Sequence, residues 1–230
     1  MKVTYIQHSG FMVELEECVL VFDYYKGLLP SVSKDKKLYV FSSHHHHDHF
    51  EHAIFEWERE YPKVSYILSD DIQAEAAGNR IFVGPDAELE LEQIKIKTLR
   101  STDEGVAFFV SVREGTDGRT RHIYHAGDLN WWHWEEEGPN YNREMEKSFK
   151  EALKPLENLH IDAAFVPADP RLEEAYFWGL DWFMRHTNTD LVYPMHLWRR
   201  YWVIDKLMEQ PETKAYRDRI VRLGKEDECR

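Results

Sequence analysis

A run of histidines inside the chain constrains the fold more than any other feature of the sequence. Residues 44–49 read His-His-His-His-Asp-His and follow directly on the apolar segment 38–41, which is typical of a buried strand. Segment 50–61 mixes apolar and charged residues as an amphipathic helix does, and Pro62 ends it before a strand predicted over 64–68. The sequence therefore predicts a strand, a histidine-rich loop, a helix and a second strand in that order.

Other short runs rich in β-branched and aromatic residues predict further strands on both sides of this unit. They lie at 3–7, 11–15, 18–22, 94–99, 106–112, 122–126, 161–166 and 191–193. Further helices are expected at 143–159, at 173–186 and from about 201 onward. Each half of the chain thus mixes strands with helices, which favours an α/β fold of two mixed sheets packed face to face with helices outside.

The composition favours a single domain over residues 1–230. Hydrophobic residues make up 43% of the chain and aromatic residues 14%, which is enough for one large core, and no linker or repeat divides the sequence. The net charge is −13, from 42 acidic and 29 basic residues, without a basic cluster. Nucleic acid is not an expected partner, because its phosphate backbone would be repelled.

Cysteine usage and hydropathy favour a soluble cytoplasmic protein. Cys18 lies in an apolar run and Cys229 in the polar tail, so the two cannot build a disulfide framework or a thiolate zinc site. The first residues show no signal-peptide pattern, and no apolar stretch approaches the roughly 20 residues of a membrane span. No membrane partner is expected, and the sequence leaves a homo-oligomer open.

The histidine-rich loop has the residue types of a metal site. Residues two apart in extended backbone point to the same side, so His44 and His46 can converge on one cation, while Asp48 and His49 can turn toward a second. Imidazole combined with carboxylate suits zinc, manganese or iron better than calcium. A purification tag is a poor alternative for an internal run, whereas a solvated loop without metal stays open on these residues alone.

Two other predicted strands also end in metal-ligand residue types. Strand 122–126 is followed by Gly127 and Asp128, and strand 191–193 leads to His196. Taken singly, a Gly-Asp pair is common turn chemistry, and a histidine at a strand end is often held by a hydrogen bond. Three strand ends with ligand residues in one chain argue against a merely solvated histidine loop.

The order of these strand ends resembles the metallo-β-lactamase superfamily. The motifs that carry the resemblance are His44-x-His46-x-Asp48-His49, Gly127-Asp128 and His196, each after a strand. Segments 7–14 and 21–23, Gln-His-Ser-Gly-Phe-Met-Val-Glu and Val-Phe-Asp, are similar to the branch that contains L-ascorbate-6-phosphate lactonase and other small cytosolic metal-dependent hydrolases. The resemblance covers most of the chain and implies a four-layer αββα sandwich.

The resemblance also implies a ligand set for one or two divalent cations. It makes His44 and His46 ligands of a first metal, Asp48, His49 and His196 ligands of a second, and Asp128 the bridge between them. Family members usually donate a further histidine to the first metal, but no residue from 53 to 121 is histidine. We predict Asp103 as its substitute, with Ser101 and Glu104 as weaker candidates and a plain turn as the alternative.

Several side chains near these ligands are candidates for a substrate pocket. They are Trp131 and Trp132 on the loop after Asp128, Arg171 after strand 161–166, and the histidines His8 and His125. Arg171 can bind a phosphate or carboxylate, or instead pair with Asp169. Packing is the alternative for the tryptophans, and a hydrogen bond to the backbone is the alternative for the two histidines.

The function implied by the resemblance is metal-dependent hydrolysis of a small ester, lactone or phosphoester by a metal-bound hydroxide. Zinc is the first expectation for the metal, with manganese or iron as alternatives, and Asp48 is expected to orient the water or accept its proton. A metal-binding sensor or binding module without hydrolysis is the rival hypothesis, because the first site lacks its usual histidine. The charge argues against a nuclease, and the length leaves no flavin-binding partner domain for redox diiron chemistry.

Overall fold

The computed structural model describes residues 1–115 and 118–224. The first of its two sheets contains most of the N-terminal half of the chain. The strands, in spatial order, are β1 (Lys2–Gln7), β2 (Gly10–Glu14), β3 (Cys18–Phe22), β4 (Lys37–Ser42), β5 (Val64–Ser69) and β6 (Arg80–Val83). Strands β1 to β3 pair antiparallel, and β3 to β6 pair parallel.

The second sheet has the spatial order β12-β11-β10-β9-β8-β7. Its strands are β7 (Glu88–Leu91), β8 (Ile94–Arg100), β9 (Val106–Glu114), β10 (Arg119–His125), β11 (His160–Pro167) and β12 (Asn188–Met195). Strands β7 to β10 pair antiparallel, whereas β10, β11 and β12 pair parallel. Each sheet is therefore mixed, as the sequence predicts.

The helices are short and flank the sheets. The α-helices are α1 (Pro139–Leu153), α2 (Trp178–His186) and α3 (Trp202–Glu209). The 3-10 segments are His52–Arg59, Lys154–Leu156, Pro170–Ala175, Glu212–Ala215 and Arg217–Arg219. Within the described ranges, no helix combines the length and apolar character needed to cross a bilayer.

Strand β3 shows how the layers are held together. Its side chains alternate, so that Leu20 and Phe22 pack in the large core that includes the second sheet, while Val19 and Val21 pack in a smaller core. That smaller core also contains Ile54 of the 3-10 segment His52–Arg59. A sheet covered on both faces requires apolar residues at consecutive positions, which explains the uninterrupted apolar run of β3.

The sandwich of two mixed sheets with flanking helices confirms the predicted fold class, and the differences lie at its margins. The helix expected over 50–61 is the eight-residue 3-10 segment His52–Arg59. Instead of one helix over 173–186, the structure has the 3-10 segment Pro170–Ala175, which is kinked at Glu173 with φ 52°, followed by α2. Strands β6 and β7 were not predicted. Cys229 lies outside the described residues.

The parallel strands of both sheets end on the same side of the sandwich. The backbone N–H of Val106, at the start of β9, donates to the carbonyl of Ser43, just beyond β4. Gly127 follows β10 with φ 52°, and a Cβ added there would lie 2.6 Å from the Ser43 Cβ. Glycine is required at this close approach, which brings the end of β10 against the end of β4.

Candidate metal centre

The candidate ligands lie at the carboxyl ends of strands from both sheets. His44, His46, Asp48 and His49 follow β4, Asp128 follows β10, and His196 follows β12. A seventh side chain, His8, comes from the turn between β1 and β2. Carboxyl ends of parallel strands meet at one edge of a sheet, which explains how residues so far apart in sequence converge.

One group of converging side chains consists of His44, His46 and Asp128. Their potential ligand atoms all lie within 4.8 Å of one another. His44 Nε2 lies 3.6 Å from Asp128 Oδ2 and 3.0 Å from His46 Nδ1. These are the residues expected to surround the first cation.

The second group consists of His8, Asp48, His49 and His196, whose potential ligand atoms also lie within 4.8 Å of one another. Asp128 faces this group as well, because its Oδ1 lies 3.3 Å from His49 Nε2 and 3.4 Å from His196 Nε2. With Oδ2 toward His44, the Asp128 carboxylate lies between the two groups, which is the position expected of a bridging ligand.

Four polar atoms in this centre are buried without a hydrogen-bond partner in the part of the chain that the structure describes. They are His8 Nε2, His49 Nε2, His196 Nε2 and Asp128 Oδ1. Burying polar atoms without partners is unfavourable, and native proteins rarely gather several of them at one place. Imidazole nitrogens and carboxylate oxygens are ligands of divalent transition metals, so a cation at this point would satisfy them together.

Two buried carboxylates fix the orientation of the candidate histidine ligands. Asp23 Oδ2 lies 2.7 Å from His49 Nδ1. Asp169 Oδ2 lies 2.7 Å from His196 Nδ1. A histidine whose Nδ1–H donates to a carboxylate has its lone pair on Nε2, and in both cases Nε2 is the atom that faces Asp128.

The hydroxyl of Ser43 extends this arrangement to His44. Ser43 Oγ donates to Asp23 Oδ2 at 2.7 Å and lies 3.0 Å from His44 Nδ1. Because its proton goes to Asp23, the hydroxyl can accept from His44 Nδ1–H and leave the lone pair of Nε2 toward Asp128. The sequence reasoning missed these roles of Asp23 and Ser43, although Asp23 also follows directly on a predicted strand.

Burial and the neighbouring charges separate the pKa values of the histidines. Burial is the largest influence on His44 and lowers its pKa to about 4. Burial also acts to lower the pKa of His49, but the carboxylates of Asp128 and Asp23 outweigh it and raise this pKa to about 9. Burial opposes the ionisation of Asp128, yet the surrounding histidines hold its pKa below the usual range. In the metal-free centre, these shifts favour the neutral form of His44 and the protonated form of His49 beside Asp128.

Comparison with known proteins identifies the fold. No protein-family model and no curated protein matches the sequence. YhfI of Bacillus subtilis, a metallo-β-lactamase fold protein, matches with a TM-score of 0.62 and 13% identity over 100% of this chain and 98% of YhfI. The chain has the metallo-β-lactamase fold.

Two other structures that are similar to this chain are described with different chemistry. A protein of Veillonella parvula, described as a possible metal-dependent hydrolase, matches with a TM-score of 0.60 and 11% identity over 100% of this chain and 98% of that one. CmlA, a diiron β-hydroxylase of Streptomyces venezuelae, matches with a TM-score of 0.51 and 11% identity over 85% of this chain and 44% of CmlA. This chain thus spans less than half of CmlA. Identities this low show a shared fold alone, so function has to be argued from the site.

Asp103 follows β8 and lies near the candidate metal centre without joining either converging group. It lines a small cavity together with Asp128, and burial and the Asp128 charge both raise its pKa. Its backbone N–H donates to Ser101 Oγ at 3.2 Å, as in a turn, and Glu104 lies 3.1 Å from His45. The role of Asp103 as a ligand stays a prediction.

The small cavity next to Asp128 has a volume of about 170 Å³. Trp132, Trp134, Tyr141 and Arg171 line it along with Thr102, Asp103 and Met145. Trp132 Nε1 donates to the Asp128 carbonyl at 2.9 Å, which fixes this wall relative to the centre. Two of the residues predicted for a substrate pocket, Trp132 and Arg171, therefore border the same cavity as a candidate bridging ligand.

Arg171 is also paired with Asp169, the alternative raised by the sequence. Its Nε and Nη2 donate to the Asp169 carboxylate, with the shortest distance 2.6 Å. The guanidinium carbon lies 4.6 Å from the ring centroid of Trp198. The guanidinium also lies 5.7 Å from the ring centroid of Trp134, so one ion pair and two aromatic rings hold it beside the cavity.

Three other residues predicted for a substrate pocket do not line this cavity. Trp131 packs against Trp178, with ring centroids 5.5 Å apart, because its strand-end loop turns it toward the helices and away from the cavity. His125 is buried and stacked on Phe22, and its Nε2 donates to the Ser9 carbonyl at 2.8 Å. The hydrogen-bonded alternative is therefore the observed one for His125. His8 does not line the cavity but lies among the candidate ligands.

Proposed function

We propose that this chain is a metal-dependent hydrolase that binds two divalent cations, with zinc first and manganese or iron as alternatives. The observation that carries the proposal is the convergence of three buried histidine nitrogens and one buried carboxylate oxygen that lack hydrogen-bond partners in the described chain. His44, His46 and Asp128 would hold one cation, and Asp48, His49, Asp128 and His196 the other. Bound at such a site, a cation lowers the pKa of water from about 15.7 toward about 7.

The residues around the cations have separate tasks in the proposed reaction. Asp48 is ionised, because burial is outweighed by its contact with His8 and by the charge of His49, which keep its pKa low. Although Asp48 is itself assigned to the second cation, its partly exposed carboxylate has a second oxygen that can orient a water molecule and accept its proton. Asp23 and Asp169 hold the imidazoles of His49 and His196 in one tautomer.

The cavity supports a small substrate with an ester, lactone or phosphoester bond. Its volume of about 170 Å³ is below the roughly 300–1,000 Å³ typical of drug-sized ligands. The rings of Trp132 and Trp134 offer an apolar wall, and the fixed guanidinium of Arg171 can donate to a phosphate or carboxylate group. Both features lie next to Asp128, where the reacting bond would have to be.

Metal analysis and hydrolysis assays test this function together. The protein is stripped with a chelator, reloaded with zinc, manganese or ferrous iron, and assayed on p-nitrophenyl acetate, a simple lactone and bis-p-nitrophenyl phosphate. We expect hydrolysis of at least one substrate that depends on metal and is lost in Asp128→Asn. His47→Ala is the matched control, because this exposed histidine of the same run belongs to neither converging group.

The rival function makes a different prediction in the same experiment. A metal-binding sensor or binding module would take up cations with the same ligands but hydrolyse none of the three substrates. Two cations per chain without turnover would therefore contradict the hydrolase, whereas a chain that binds no divalent cation would contradict both functions.

A further inference from the structure

His8 occupies a position that the usual ligand pattern of the fold does not explain. It lies in the turn between β1 and β2. Just before this turn, between Tyr5 and Gln7 of β1, the pairing register with β2 changes. Its backbone is left-handed, with φ 54°, although it is not glycine. Such strain in a side-chain-bearing residue persists only where surrounding contacts fix it, and it is concentrated at functional sites.

Contacts on both sides hold this turn against the metal centre. The His8 N–H donates to Tyr5 Oη at 2.9 Å, and the His8 carbonyl accepts from the His196 N–H at 3.4 Å. The next carbonyl, of Ser9, accepts from His125 Nε2. The strained turn is therefore tied to β1, to His125 at the end of β10 and to His196 after β12, which fixes where the His8 ring lies.

The His8 ring is directed into the second ligand group. Its centroid lies 4.2 Å from that of His196 and 5.7 Å from that of His49. His8 is 6% exposed, and its Nε2 is buried without a hydrogen-bond partner in the described chain. This Nε2 lies 3.3 Å from Asp48 Oδ2 and within 4.8 Å of the ligand atoms of the group.

We infer that His8 is a direct ligand of the second cation through Nε2, in addition to Asp48, His49, Asp128 and His196. The inference rests on the metal binding in the proposed function. It explains why a buried imidazole nitrogen lies 3.3 Å from Asp48 Oδ2, among the potential ligand atoms of the second group. It also explains why a strained turn from the far edge of the first sheet is fixed to the ends of β10 and β12.

The additional imidazole makes the two metal positions unequal. Five protein donors fill the coordination shell of a cation such as zinc, which takes four and sometimes five ligands. The group of His44, His46 and Asp128 offers fewer donors and borders the cavity through Asp128. Closed sites are structural and open sites are catalytic, so the exchangeable positions for water and substrate belong to the first cation.

The alternative is that His8 only donates a hydrogen bond to Asp48 and positions that carboxylate. Both roles predict weaker metal binding in a variant, so affinity alone does not separate them. A direct bond between His8 Nε2 and the cation does, because only a ligand nitrogen shows scalar coupling to a magnetic metal nucleus. Cadmium-113 is a suitable probe, since it takes the same nitrogen and oxygen ligands.

The test uses the full chain with ¹⁵N-labelled histidine, loaded with cadmium-113. Correlations from backbone to ring assign His8 in the unmodified protein, so the measurement does not depend on a variant that folds. We expect cadmium coupling at Nε2 of His8, His49 and His196. In His8→Gln one coupled resonance should disappear, and the zinc affinity of the second site should fall by more than about tenfold. His52→Gln, an exposed histidine outside the centre, should change neither.

The outcomes separate this inference from the proposed function. Coupling at His49 and His196 but not at His8 would overturn the ligand role of His8 and leave the metal centre intact. Absence of coupling at every histidine would overturn the metal centre itself and the inference with it.

Discussion

Asp23→Asn should weaken metal binding, although Asp23 touches no cation in the proposed centre. The aspartate is fully buried and accepts from the Ser43 N–H at 2.8 Å, from Ser43 Oγ and from His49 Nδ1. Asparagine is nearly isosteric and tolerates the left-handed backbone at this position, where φ is 43°. The substitution therefore changes the hydrogen bonding with little change in packing.

The expected loss of metal affinity follows from the loss of the hydrogen-bond acceptor for His49 Nδ1. If the asparagine oxygen replaces Oδ1 and keeps the bond from the Ser43 N–H, its amide NH₂ faces His49 Nδ1. The ring must then accept at Nδ1 and place its proton on Nε2, the atom that faces Asp128. Losing such an outer hydrogen bond typically lowers metal affinity by about 10–100-fold, or about 1.4–2.8 kcal/mol.

Competition with a chromophoric chelator measures this change in zinc affinity. Asp71→Asn is the matched control, because Asp71 Oδ2 lies 2.9 Å from Nδ1 of His45, an exposed histidine of the same run. We expect Asp71→Asn to bind zinc as the unmodified protein does. Zinc affinity of Asp23→Asn within about threefold of the unmodified protein would refute the orienting role of Asp23.

Three further predictions concern the ligands themselves. With a pKa of about 9, His49 carries an extra proton at neutral pH in the absence of metal, and zinc has to displace that proton. Zinc affinity should therefore rise by up to about tenfold per pH unit toward pH 9 and then level off. Calorimetry in buffers of different ionisation enthalpy should detect the released proton, and a zinc affinity that does not change with pH would contradict this prediction. His44→Ala and His196→Ala should lower metal content and remove activity with an unchanged circular dichroism spectrum, and normal metal content in both would contradict the assignment. Asp103→Asn should empty the first site and spare the second, and two cations retained per chain by this variant would rule Asp103 out.

The convergence of the candidate ligands could be predicted because each one stands at the end of a recognisable strand. The apolar segments before His44, Gly127 and His196 are strong strand signals, and parallel strands place such ends together. The tertiary contacts that orient those ligands could not be predicted from the sequence. Asp23 and Asp169 come from different strands, and only packing shows that each carboxylate reaches the Nδ1 of a histidine.

The structure departs from the sequence predictions where local signals are weak. Strands β6 and β7 have four residues each and are mostly exposed or half-buried, so their sequences lack the apolar pattern of a core strand. Trp131 and Trp132 are adjacent in a short loop, yet one packs on Trp178 and the other lines the cavity. Composition does not distinguish such neighbours, because the direction of each side chain depends on the backbone of the loop.

The central claim is that the unpartnered buried atoms at the strand ends are metal ligands. A crystal structure of the zinc-loaded protein, with anomalous difference maps on both sides of the zinc edge, tests it most directly. We expect two peaks, one among His44, His46 and Asp128 and the other about 2.0–2.1 Å from Nε2 of His49 and of His196. Peaks only elsewhere on the chain, or no peak at the strand ends at saturating zinc, would contradict the account.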